Sequence, residues 1–179
     1  MGNNDPWMIA EVAGPRQASV ITKAEVADAI IRRARRPLLV VGSLAAEIEV
    51  DDRILVDYLV LLARKGGIPV VATAQVGKDL LERDLHPRLQ MAAVDIGQRL
   101  ADPSWRGVDG KGPHDLAIFA GLPYYLAQTV LSGLKHFAPS LKTMTLDNVY
   151  HPQASWSLSN LSLRDWVTIL RSIIENLEE

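Results

Sequence analysis

Three apolar runs in this chain stop at residues that could let a ligand approach the backbone. Leu38–Val41 ends at Gly42-Ser43, Ile68–Thr73 ends at Ala74-Gln75, and Leu116–Ala120 ends at Gly121. A strand-end glycine has two readings: it keeps a turn tight, or it admits a phosphate to the backbone amides. Both stay open for Gly42, because no glycine-rich dinucleotide fingerprint follows it. Tyr124 and Tyr125 follow Gly121 closely. A tyrosine pair can stack on a flavin or adenine ring, or pack a core or a partner with its hydroxyls bonded. The candidate ligand-contacting set is therefore Gly42, Ser43, Thr73, Ala74, Gln75, Gly121, Tyr124 and Tyr125.

No spacing nominates a catalytic group. His86, His114, His136 and His151 are scattered, with none at ligand spacing on a shared helix, so neither a metal site nor a Ser/His/Asp order is expected. Asp79, Glu82 and Asp84 read as a solvated helix face. Cysteine is absent, which removes disulfides, thiol nucleophiles and cysteine-ligated clusters from the chain's own chemistry. Arg32, Arg33, Arg35 and Arg36 precede the first of these runs, at the amino end of any parallel sheet. They suit a helix C-terminus, or a dock for an acidic surface. Trp7, Trp105 and Trp156 fall in irregular polar stretches and are candidate interface anchors.

Patterning supplies the elements that must hold those residues. Thr22-Lys23-Ala24-Glu25 reads as a capping box before an amphipathic helix that Pro37 ends. Asp51 and Asp52 suit the start of a second helix, which Gly66-Gly67 stops with a left-handed cap. Residues 78–101 hold one or two helices around Pro87, with a short strand near Leu89. Residues 102–113 form a loop rich in glycine and proline. Pro123 opens a helix running to about Phe137, and Lys142–Leu146 is a fourth strand. Ser162 caps a last helix carrying Leu163, Trp166, Val167, Leu170, Ile173, Ile174 and Leu177 at helical spacing.

Short apolar strands alternating with helices predict an α/β fold with a parallel sheet covered on both faces. Gly42 and Gly121 would then flank the crevice at the carboxyl end of the sheet. One domain over 1–179 is expected, with residues 1–20 as an extended arm. A net charge of −2 from 19 basic and 21 acidic residues gives no electrostatic case for nucleic acid or an anionic membrane. The start of the chain lacks a signal-peptide pattern, so a cytoplasmic location is expected.

Two resemblances follow from longer strings. I-I-R-R-A-R-R-P-L-L-V-V-G-S, G-G-I-P-V-V-A-T and L-H-P resemble the middle domain of thiamine-diphosphate enzymes, which in several members holds FAD or ADP. The thiamine site itself needs a motif and a further domain that have no counterpart here. More of the chain is similar to the epsilon subunit family of the archaeal acetyl-CoA decarbonylase/synthase complex. The similarity rests on T-K-A-E-V-A, A-R-R-P-L-L-V-V-G, G-I-P-V-V-A-T, L-A-D-P-S-W-R-G-V-D-G-K-G, Y-Y-L-A-Q-T-V-L-S-G-L-K-H-F, L-K-T-M-T-L-D and S-W-S-L-S-N-L-S, in that order. The resemblance implies a three-layer Rossmann-like sheet of the DHS-like NAD/FAD-binding type. It also implies a carbon monoxide dehydrogenase alpha subunit as partner, with the nickel–iron–sulfur chemistry carried by that partner. Two copies of each chain, hence homodimer contacts within the complex, are implied as well. Two roles follow for the epsilon chain: stabilising the alpha subunit without catalysis of its own, or binding FAD to assist electron transfer during CO oxidation.

Overall fold

The computed structural model describes residues 16–177. Seven strands form one parallel sheet: β1 (Ser19–Ile21), β2 (Pro37–Val41), β5 (Val70–Ala72), β6 (Leu89–Gln90), β7 (Leu116–Ala120), β8 (Lys142–Thr145) and β9 (Trp156–Leu158). Their spatial order is β1-β9-β8-β7-β2-β5-β6. A small antiparallel hairpin, β3 (Glu49–Val50) with β4 (Arg53–Ile54), stands apart. The helices are α1 (Ala24–Arg33), α2 (Leu55–Gly66), α3 (Val76–Glu82), α4 (Ala93–Ala101), α5 (Tyr124–Phe137) and α6 (Leu163–Asn176), with a 3₁₀ turn at Ser43–Ala46.

The period-two alternation of the central strands divides the core. Leu39, Val41, Ile118 and Ala120 pack with α1, α2 and α6, whereas Leu38, Val40, Ala117 and Phe119 pack with α4 and α5. The result is the three-layer α/β arrangement that the patterning predicts. Apolar strands buried on both faces are what a parallel sheet between helix layers requires. Trp166 of α6 is fully buried, and its indole N–H donates to the Leu146 carbonyl at 2.8 Å.

Several local expectations need correcting. Thr22 does not cap α1: Lys23 is the N-cap residue, with no side-chain cap bond. Asp51 and Asp52 form the turn of the β3–β4 hairpin, with Asp51 at φ 63°, and α2 begins only at Leu55. There Asp57 takes the N-terminal role, accepting from the Ile54 N–H at 3.0 Å. Strands β1 and β9 lie outside the expected strands; each is three residues long with a serine in it, too short for an apolar run. β1 begins in the last two residues of the expected arm; residues 1–15 of that arm, including Trp7, are outside the described residues. Trp156 sits in β9 rather than a loop, and Leu163 is 54% exposed instead of facing the core. Gly67, at φ 60°, does end α2 in the left-handed region, and Ser162 does cap α6, accepting from the Asp165 N–H at 3.2 Å.

Candidate functional site at the carboxyl end of the sheet

Strands β2 and β7 are neighbours, and their chains leave in opposite directions. β2 leads through α2 to β5, while β7 leads through α5 to β8. Their ends therefore form the switch point at which open α/β sheets take ligands. Gly42 and Gly121 meet there. The Gly42 N–H donates to the Ala120 carbonyl at 2.8 Å, and the Leu44 N–H donates to the Gly121 carbonyl at 2.9 Å. A Cβ on Gly42 would lie 2.1 Å from the Gly121 oxygen. Gly121 has φ +77°, and a Cβ on it would meet Ala45 at 2.8 Å. Each glycine is thus required by the backbone of the other crossing, whatever sits above them.

A crevice of about 420 Å³ opens beside this pair. Ser43, Thr73 and Ala74 line it, together with Gln90, Met91 and Leu126. Ala74 holds a left-handed φ of 47°, and its carbonyl accepts from Gln90 Nε2 at 2.9 Å. The Thr73 hydroxyl donates to the Val41 carbonyl at 3.1 Å. Gln75 is exposed at the start of α3 and does not line the crevice. The two tyrosines are elsewhere. They line a separate polar hollow with Gln128, Thr129, Ser132 and Gln153; Tyr124 is half-buried, whereas Tyr125 is 74% exposed. Seven of the eight predicted residues thus divide among a crevice, a glycine crossing and a helix face, and Gln75 stands apart at the start of α3.

Sequence reasoning missed the polar cluster beneath the start of α5. Asp147 Oδ1 accepts from the Gly121 N–H at 2.7 Å, and its Oδ2 lies 3.5 Å from His151 Nε2. The His151 ring is buried and stacks on Tyr124 at 4.8 Å between centroids. Gln128 Nε2 donates to the Tyr124 hydroxyl at 3.0 Å. The i, i+4 pair Asp147 and His151, just after the fourth expected strand, was the available signal. Metal binding is not indicated by these residues: the described residues contain no group of three His, Asp or Glu placed to hold an ion.

The crevice fits a flavin or nucleotide diphosphate poorly. Such a group needs free amides or cations at the strand end. Here the amides of Gly42, Leu44 and Ala45 are spent on backbone carbonyls, and that of Gly121 on a carboxylate. No lysine or arginine lines the crevice. The wall is mainly apolar, so the diphosphate would lose water without gaining a partner.

At the opposite end of the sheet, the arginines divide their roles. Arg36 pairs with Asp109 and donates to the Pro113 carbonyl at 3.2 Å, and Arg32 pairs with Asp28 at 2.8 Å. The Arg36 guanidinium, with the Lys111 N–H, lowers the Asp109 pKa to about 2. His114 is a buried imidazole in one defined tautomer: its Nδ1–H donates to the Arg36 carbonyl at 3.0 Å, and its Nε2 accepts from the Val108 N–H at 3.3 Å. Burial pushes its pKa down. Trp105 is half-buried and tilts against this ring at 5.7 Å.

With this geometry in place, comparison with known proteins decides the family. Residues 2–174 match the family model described as CO dehydrogenase beta subunit/acetyl-CoA synthase epsilon subunit. The chain belongs to that family. It is 41% identical over 168 residues to the acetyl-CoA decarbonylase/synthase complex subunit epsilon of Methanothermobacter thermautotrophicus, covering 94% of this chain and 93% of the relative. It is 38% identical to subunit epsilon 1 of the same complex in Archaeoglobus fulgidus, covering 94% and 90%. The Methanothrix soehngenii subunit epsilon is 37% identical, covering 89% and 83%. No helix among the described residues is long and apolar enough to cross a membrane.

Proposed function

We propose that this chain is a non-catalytic accessory subunit of an acetyl-CoA decarbonylase/synthase complex. In this reading it binds and stabilises the carbon monoxide dehydrogenase alpha subunit, which carries the nickel–iron–sulfur chemistry. The observation that carries the proposal is the match along residues 2–174 to a family whose members are named as subunits of that assembly. Tyr125 and Phe137, 74% and 75% exposed at the two ends of α5, support it as side chains suited to cover by a partner. The flavin role has less support at the sheet's carboxyl end, where the amides of Gly42, Leu44, Ala45 and Gly121 are committed and no cation among the described residues lines the crevice.

The test is sedimentation of the purified chain mixed with purified alpha subunit. A single boundary containing both polypeptides at micromolar concentration is expected. Separate boundaries at every mixing ratio overturn the proposal.

A further inference from the structure

Two adjoining hollows lie at the amino end of the sheet, far from the crevice. The first, about 280 Å³, has Arg16, Lys135 and Lys142 in its lining and no acidic residue among the described residues. The second, about 320 Å³, shares Lys142 and adds Arg33, Asp115 and the half-buried Trp156. Four cations therefore border a continuous surface in a chain whose net charge is −2. Among the described residues one carboxylate lines these hollows, and backbone amides already engage it. Asp115 accepts from the Arg35 N–H and the Arg36 N–H, each at 2.8 Å.

Arg33 and Lys142 are both exposed, and neither is ion-paired with a carboxylate among the described residues. Lys135 reaches across to the Arg16 carbonyl and to Gln153 Oε1 at 3.2 Å. Burial, and then the charge of Arg16, lower its pKa. Like charges crowded beside an apolar ring are relieved by an incoming anion, while the ring gives that anion's chain something to pack on.

We infer that this surface is the dock for an acidic polypeptide segment of the partner subunit, its carboxylates seated on Arg33 and Lys142 and its backbone against Trp156. The inference rests on the proposed association with the alpha subunit and names the surface that makes it. A nucleic acid would meet the same cations, but the overall negative charge opposes a polyanion at longer range. The acidic segment is therefore the occupant the charges favour.

The test measures the affinity of the full chain for purified alpha subunit in wild type, Arg33→Glu, Lys142→Glu and the conservative Lys142→Arg. Both altered sites are exposed, and unchanged circular dichroism confirms that each variant folds. Each reversal should weaken binding about tenfold, Lys142→Arg should retain it, and wild-type affinity should fall as salt rises from about 0.05 to 0.5 M. Wild-type binding that the reversals leave unchanged overturns this surface while the proposed function stands; no wild-type binding removes both. A shift in the self-association of the chain alone on reversal assigns the surface to a second copy and also overturns it. So does a reversal effect that vanishes when residues 1–15 are deleted, or tight capture of single-stranded RNA.

Discussion

At the scale of single residues, the crossing of Gly42 and Gly121 shows how a packing requirement can imitate a binding motif. A strand-end glycine is what a phosphate site needs, and it is also what two adjacent strand ends need to pass at van der Waals contact. The contact of 2.1 Å that a Gly42 Cβ would make is with backbone, which has no rotamer to yield. Gly42→Ala should therefore cost at least about 3 kcal/mol of stability in urea unfolding, through overpacking alone. His114 carries a prediction about pH. Its Nε2 accepts a hydrogen bond, so protonation breaks that bond and places a charge in a buried site. The folded pKa lies below the ordinary 6.5, so the stabilisation is complete above that value and is lost as pH falls through the folded pKa. Unfolding free energy should decline as pH falls below about 6.5 in the wild type, and His114→Gln should flatten that decline.

At the scale of elements, two caps that look alike in sequence separate cleanly. Ser162 makes its bond to the Asp165 N–H, whereas Thr22 makes none in α1. Ser162→Ala should cost about 1 kcal/mol and Thr22→Ala should stay within about 0.5 kcal/mol, measured side by side in urea. The contrast also explains what was legible. Leu38–Val41, Ile68–Thr73 and Leu116–Ala120 announced themselves because buried parallel strands are continuous apolar runs bounded by glycine and proline. β1 and β9 did not, because each is only three residues long, interrupted by Ser19 or Ser157, and held by pairing to strands distant in sequence. The hairpin at Asp51 hid behind two acids that suit a helix start equally well. At the site, the strand-end residues could be named, but which hollow each would face could not. Tyr124 and Tyr125 are consecutive on a helix, so about 100° of rotation separates them and sends one under α5 and the other to solvent.

At the scale of the whole molecule, the two ends of the sheet differ in kind. The carboxyl end is a mainly apolar crevice beside four committed backbone amides, those of Gly42, Leu44, Ala45 and Gly121. The amino end gathers positive charge around a half-buried tryptophan. An assembly role suits that division, since a sheet whose usual ligand site offers few polar partners can still present an extended outer surface. The most direct measurement is the heat-inactivation half-life of CO oxidation by the alpha subunit, followed with and without an equimolar amount of this chain, alongside the sedimentation boundary. The account predicts one shared boundary and a lengthened half-life, with the turnover rate before heating unchanged. An unaltered half-life with two separate boundaries would contradict it.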